Sequence, residues 1–445
     1  HKKRYWELFF AHDLYHTEAY FKKKLDECLK NSVSLHLRSD VPVGAYISGG
    51  LDSSFIASLA AKEQQTGAMI GFTGKFSKHG PEFDESLYAR IVAKDAGFLL
   101  YEIDIDFNDF IETLPKVIFH LDYPVAGPGS FSQYMVSSLA AKHRKVVLGG
   151  QGGDEIFGGY TRYLIAYFEQ CLKGAIDGTL DNGNFLVTYE SIIPNLESLR
   201  QYKPLLGEFW SDGLFDSMDK RYFRLINRAK DLKNEIRWEA LGDYSAWPVF
   251  EHIFNSSKVG PTSYFDLMTN FDFNTLLPAL LQVEDRMSMA HGLESRVPLL
   301  DHQLVELAAT IPANIKFRTG EMKHIFREVT RPYLPESIVN RKDKMGFPTP
   351  VVDWMNHEAS DFVYDLLSSE RAKSRDLIDN RAVLDNFGKE HNFGRTGWGL
   401  ICLELWQCQF HDKANDYRRL LKNSSISMRA RDYCFSESVP ARKYL

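Results

Sequence analysis

Residues 48–54 read Ser-Gly-Gly-Leu-Asp-Ser-Ser, directly after an apolar run, Val43-Gly44-Ala45-Tyr46-Ile47, and before a helix-forming stretch, Phe55 to Lys62. Strand, glycine-rich loop and helix together turn backbone N–H groups and a helix N-terminus toward a phosphate. Gly49 and Gly50 let the main chain come close to a ligand with no Cβ in the way, while Ser48, Ser53 and Ser54 add hydroxyl donors. Asp52 is an acid inside this anion-binding loop, an arrangement that makes chemical sense when a metal ion accompanies the anion. The plain alternative is a Gly-Gly turn in which Asp52 or Ser53 caps the helix. The loop lacks the Gly-Lys-Ser/Thr ending of a Walker A loop and the Gly-x-Gly-x-x-Gly of a dinucleotide fingerprint.

Three further constellations follow. Between Gly149 and Gly159 stand six glycines around Gln151, Asp154 and Glu155. Glycines pack nothing, so such density marks backbone that must meet a ligand closely. Asp154 is a second carboxylate for the cation that Asp52 implies, since one or two acids plus polyphosphate oxygens hold Mg²⁺. A glycine-rich turn with a capping Asp would explain Asp154 but not the glycines. Next, Glu284-Asp285-Arg286 and Glu294-Ser295-Arg296 flank His291. Arginine offers bidentate geometry to carboxylates and phosphates, so Glu284, Arg286, Glu294 and Arg296 read equally as substrate-orienting groups or as a structural ion-pair network. His291 is read as structural. Last, Lys323 and Arg327 precede a proline-punctuated turn and Arg341-Lys342-Asp343-Lys344-Met345-Gly346-Phe347. A departing pyrophosphate needs such positive charge. Lys323 and Lys344 lie in patterned loops and are its candidates, whereas Lys342 reads as solvated surface.

These residues need a scaffold. Four strand candidates, 44–47, 69–73, 99–103 and 145–149, alternate with helix candidates 53–64, 85–96, 110–119 and 134–142. That alternation means βαβ units and an α/β parallel sheet with helices on both faces, with ligands beyond the C-terminal strand ends. A helical pattern over 18–37 precedes it. From about residue 160 the alternation stops, and 160–257, 262–310 and 354–411 read as helical. The tail after 411 lacks periodicity and is expected to be partly disordered. At 445 residues the chain suits two or three domains. Its composition, 44% hydrophobic and 25% charged, is that of a globular protein. A net charge of −6 argues against a nucleic-acid surface. No apolar run reaches the length of a membrane span. Five scattered cysteines suit a reducing, cytoplasmic compartment. The chain opens at His1 rather than Met and reads like one entered in the middle.

The loop at 48–54 resembles the pyrophosphate-binding loop (PP-loop) of enzymes that split ATP between its α- and β-phosphates. Together with the ordered segments Gly149–Tyr160, Ser288-Met289-Ala290…Leu293-Glu294-Ser295-Arg296-Val297-Pro298 and Lys344-Met345-Gly346-Phe347, and with the opening Tyr5-Trp6-Glu7-Leu8 and Asp40-Val41-Pro42, the chain resembles the synthetase domain of glutamine-dependent asparagine synthetases over roughly 1–410. The resemblance implies a PP-loop ATP-binding core over 1–160, a helical insertion over 161–260, a helical part over 261–411 that completes the site, and a tail over 412–445. It implies a carbon–nitrogen ligase with ATP and Mg²⁺ as cofactors. A carboxylate is adenylated, pyrophosphate leaves, and ammonia from glutamine attacks to give an amide and AMP. ATP would lie on Ser48, Gly49, Gly50, Asp52, Ser53, Ser54, Gly149, Gly150 and Asp154, with adenosine near Phe72 and Gly74. Asp52 and Asp154 would hold the metal; Lys323 and Lys344 would be catalytic. Gln151, Glu155, Glu284, Arg286, Glu294 and Arg296 would face the acceptor and ammonia, with Leu121–Gly129 lining the acceptor side. A glutaminase domain upstream of His1 and a homodimer are further expectations.

One departure stands out. The family carries Glu, the base toward the incoming nitrogen, where this chain has Gln151, and an amide is no base at neutral pH. Either another group takes the proton, or free NH₃ arrives already neutral, or the acceptor is not aspartate but a carboxylate such as a sugar uronate. A ring-forming ligase of β-lactam synthetase type and an inactive nucleotide-binding relative are the other readings.

Overall fold

A computed structural model describes residues 3–64, 68–124, 127–177, 203–211, 213–260, 263–341, 348–386 and 395–423. The chain divides into two compact units. The first comprises His1–Asp106, Ser132–Lys230 and Phe250–Thr349. Its centre is a five-stranded, all-parallel sheet built from β1 (Val43–Tyr46), β2 (Ile70–Lys75), β3 (Leu99–Asp104), β4 (Val146–Leu148) and β5 (Glu294–Arg296) in the order β3-β2-β1-β4-β5. Register pairs Ala45 with Gly71 on one side and with Leu148 on the other. The chain therefore winds outward from β1 through β2 to β3, then returns to the other side of β1 with β4. That reversal is the switch point where open α/β sheets bind ligands.

Four of the strands fall where the sequence places them. The fifth lies inside 262–310, which reads as helical. Glu294-Ser295-Arg296 is a strand because it pairs with β4, Val147 against Ser295; three residues are too short to show a period.

Alternating strand residues bury two faces, as parallel sheets require. Val43, Ala45, Val146 and Leu148 join Leu25, Leu29 and Val33 of α1 (Glu18–His36) and Phe55, Ile56 and Leu59 of α2 (Leu51–Glu63) in one core. On the other face Tyr46, Ile70, Phe72 and Val147 pack with Val136 and Ala140. Thr17 caps α1 by accepting from the Tyr20 N–H, and Gly97 closes α3 (Ser86–Ala96) in the left-handed region.

The second unit comprises Phe107–Phe131, Asp231–Val249 and Pro350–Leu445. α4 (Phe107–Leu121) brings Phe110 within 5.4 Å of the Trp354 ring and 5.5 Å of the Phe131 ring, measured between centroids. Among the described residues, no helix is long and apolar enough to cross a membrane.

Candidate active site

The loop after β1 is self-tied. The Ser48 and Ser53 hydroxyls lie 2.9 Å apart, the Ser48 N–H donates to Ser53 Oγ at 3.2 Å, and the Gly50 N–H donates to Ser48 Oγ at 3.3 Å. α2 starts at Leu51 with Gly50 as N-cap and no side-chain cap. Asp52 and Ser53 therefore sit inside the first turn, and the capping alternative is not realised. The orphan N–H groups of that turn are left to water or a ligand. Ser54 is fully buried.

The segment after β4 lies directly against this loop. The Gly149 N–H donates to the Arg296 carbonyl at 2.7 Å. At Gly150 the two main chains meet so closely that a Cβ would stand 2.7 Å from the Ser53 nitrogen, so no other residue fits. A short helix, α5 (Gly153–Phe157), then carries Asp154 and Glu155. Glu155 is buried and accepts a hydrogen bond from the Tyr160 hydroxyl. Burial first, and the Asp154 charge second, push its carboxyl up to about 7.

Lys323 joins the two loops. It adopts a left-handed conformation, φ 58°, just before the helix His324–Thr330. Its ammonium lies 2.6 Å from Asp52 Oδ2 and 2.6 Å from Asp154 Oδ1. Burial works against the charge, yet Asp154 and Asp52 outweigh it and hold the lysine above its ordinary value. Gly159 makes room, because a Cβ there would fall 2.2 Å from Lys323 Cε. Arg327, one turn on, spends its guanidinium on the Met322 and Val339 carbonyls.

The remaining candidates divide. Glu284, on the helix Leu276–Met289, is buried and accepts from Ser295 Oγ at 2.5 Å and from Gln151 Nε2 at 3.4 Å. Arg296 donates to the His36 and Arg38 carbonyls at 2.7 and 2.8 Å and pairs with Glu294 at 2.6 Å, a staple between β5 and the end of α1. Arg286 and Glu294 are exposed. The His291 ring lies 4.3 Å from that of Tyr134. The Phe72 ring is buried, 6.1 Å from the Tyr101 ring, and a Cβ on Gly74 would touch Ile105 and Val136. Leu121–Gly129 falls in the second unit, with 125 and 126 outside the described residues. Lys342 and Lys344 also lie outside the described residues.

Arg341 was not singled out in the sequence. Its guanidinium donates to the Gly49 carbonyl at 3.2 Å, pairs with Glu85 at 2.8 Å and lies 3.7 Å above the Tyr88 ring, bracing the first loop from behind. Its one sequence signal is its place at the head of the cationic run, which says nothing of Gly49, Glu85 or Tyr88. Tyr160 and Ser295, partners of buried acids, carried no signal of their own.

The donor set fits Mg²⁺ in the way that ion is usually held, by two carboxylates with ligand phosphates completing the shell. Asp52 Oδ1 is buried without a hydrogen-bond partner among the described residues, an unsatisfied acceptor that a cation would satisfy. Among the described residues no three or more acidic, His or Cys side chains gather into a self-sufficient cation site.

A parallel α/β sheet of PP-loop type, with its glycine-rich loops on adjacent strands at the switch point, defines the class. The sequence profile described as Asparagine synthase matches residues 24–408, and the chain belongs to that family. It is 30% identical over 395 residues to the glutamine-hydrolysing asparagine synthetase 1 of Bacillus subtilis, covering 86% of this chain and 58% of that protein. Identity to a putative glutamine-hydrolysing asparagine synthetase of Mycobacterium tuberculosis is also 30%, over 403 residues, covering 86% of this chain and 57% of that one. The amidase chry2 of Gibberella zeae is 23% identical over 411 residues, covering 86% of this chain and 60% of that one. The chain thus spans less than two thirds of the length of these curated relatives.

Proposed function

We propose that this chain performs the ATP-dependent part of an amide ligation, adenylating a carboxylate and replacing the adenylate with ammonia. The observation that carries the reading is the Lys323 ammonium, 2.6 Å from both Asp52 and Asp154 where the loops after β1 and β4 meet. The orphan N–H groups at the start of α2 receive the triphosphate. The acceptor carboxylate attacks the α-phosphorus, and pyrophosphate leaves against Lys323, with Lys344 as its proposed companion. Asp52 and Asp154 would hold Mg²⁺, which when bound neutralises charge on the phosphates. Gln151, Glu155 and Glu284 line the acceptor side. Ammonia comes from glutamine, split by a glutaminase domain outside this chain. In this reading residues 1–160 carry the ATP-binding core, 161–260 an insertion, and 261–411 the remaining helical part of the ligase. The free thiols of Cys28, Cys402 and Cys408 support a reducing, cytoplasmic setting.

A second reading concerns the acceptor alone. Gln151 favours a carboxylate other than aspartate, such as a sugar uronate. The test is pyrophosphate and AMP release with a panel of carboxylates plus ammonium, with mass spectrometry of the product. Asp52→Asn should abolish AMP formation while the thermal transition persists. ATP bound but not turned over with any carboxylate would overturn the proposal and leave an inactive nucleotide binder.

A further inference from the structure

Gln151 and Glu284 sit together at the end of β4, and only one of them can change charge. Glu284 retains 4% of its surface exposure. Its Oε1 accepts from Ser295 on β5, its Oε2 accepts from Gln151 Nε2, and a Cβ on Gly149 would come within 3.1 Å of Oε1. The carboxylate therefore lies on the main chain one residue before Gly150, the point of contact with the first loop. Burying a carboxylate costs several kcal/mol when no cation compensates it. A glutamine at 284 could accept from Ser295 through its one oxygen and, with the Gln151 amide turned over, donate to the Gln151 carbonyl without that penalty, so packing does not explain the acid. Burial raises its pKa against the opposing pull of Ser295 and Gln151, which makes it a stronger base than an exposed carboxylate.

Resting on the reading of this chain as an amide-forming ligase, we propose that Glu284 is the proton acceptor of the nitrogen-transfer step and that Gln151 orients it. Ammonia bonds to the acyl carbon of the adenylate, and its nitrogen becomes positively charged in the tetrahedral intermediate. One N–H proton passes to the Glu284 carboxylate. The carbon–oxygen bond to the phosphate breaks, its electron pair leaves on AMP, and the amide remains. Glu284 then returns the proton to water. Gln151 holds Glu284 through Nε2 and presents its carbonyl as an acceptor for an N–H of the nucleophile. The acid that this chemistry needs stands on the helix, and the loop carries its neutral partner.

The test uses the full chain with the acceptor found by the carboxylate panel. It compares wild type, Glu284→Gln, and the exchange variant Gln151→Glu with Glu284→Gln. ATP–pyrophosphate exchange reads adenylation, and product formation from ammonium or hydroxylamine reads nitrogen transfer. Glu284→Gln should slow amide formation by about 10²–10⁴-fold, far more than exchange. Hydroxylamine, unprotonated at neutral pH, should suffer less than ammonium. The exchange variant should recover most of the amide rate, which a purely structural role for Glu284 would not allow. Amide formation falling no more than exchange, or no recovery in the exchange variant, overturns the proposal while leaving the ligase reading intact. Wild type lacking exchange with every carboxylate overturns the ligase reading and this inference with it.

Discussion

Glu155 is the group whose titration the structure shifts into the neutral range, and its replacement tests the electrostatics of the site without any substrate. The side chain is buried beside Asp154, with the Tyr160 hydroxyl donating to it. Its pKa rises from the ordinary 4.5 to about 7, through burial and then the Asp154 charge. At about 1.4 kcal/mol per pH unit, that rise corresponds to about 3 kcal/mol of preference for the protonated form in the folded chain. The sign follows from where the proton sits. Between pH 4.5 and 7 the folded chain keeps a proton that the unfolded chain has lost, so this contribution is full below pH 4.5 and disappears as pH rises through about 7. Glu155→Gln still accepts from Tyr160 but does not titrate. Urea unfolding of both proteins should therefore show the variant gaining about 2–3 kcal/mol on wild type between pH 5 and pH 8. Tyr160→Phe removes a donor that lowers the pKa, so its stability loss should be centred at higher pH than in wild type. Parallel stability–pH curves for wild type and Glu155→Gln would refute the reasoning, because both would then titrate alike.

Lys323→Met leaves two carboxylates without their shared cation; unfolding at neutral pH should show a loss of about 3–5 kcal/mol, and AMP formation should fall by about 10²–10³-fold. A stability loss near zero would mean that the ammonium is not held between Asp52 and Asp154. Phe326→Ala should cost about 3–5 kcal/mol in the same assay and Phe326→Leu about 1 kcal/mol; equal costs would show that the ring's shape is irrelevant. Arg341→Ala removes the brace behind the first loop and should raise the KM for ATP about tenfold, a loss of about 1.4 kcal/mol. An unchanged KM would place Arg341 outside the nucleotide's support.

How much of this was legible depends on how each residue makes its contacts. The loop at 48–54 and the strand before it are local, so propensity and pattern expose them. The glycine density at 149–159 likewise announces close backbone approach, and Gly150 against Ser53 is its physical cause. β5 was hidden because its identity as a strand comes from β4, about 150 residues away in sequence. Arg296 and Glu294 read equally as binding groups or as an ion-pair network, since an arginine that staples two carbonyls has the same spelling as one that grips a substrate. Arg341 is silent for the opposite reason: its partners, Gly49, Glu85 and Tyr88, lie more than 250 residues earlier.

The convergence of Asp52, Asp154 and Lys323 has a hydrophobic cause that no motif displays. Each is followed three residues later by a phenylalanine, Phe55, Phe157 and Phe326, one helical turn further along its own element. Those three rings meet. Phe326 lies edge-on to Phe55 at 5.7 Å and stacked on Phe157 at 4.9 Å. All three are fully buried. Fixing the rings fixes the start of each helix, and with it the charged residue at that start. The energetics point the same way. Burying Lys323 with Asp52 costs several kcal/mol per ion before their attraction is counted. Each buried ring contributes roughly 1.5–3 kcal/mol, and the aromatic pairs about 0.5–1.5 kcal/mol more. The aromatic cluster is thus large enough to hold together a charge arrangement that electrostatics alone would leave marginal. Substitutions in the cluster should accordingly displace the charges before they unfold the sheet.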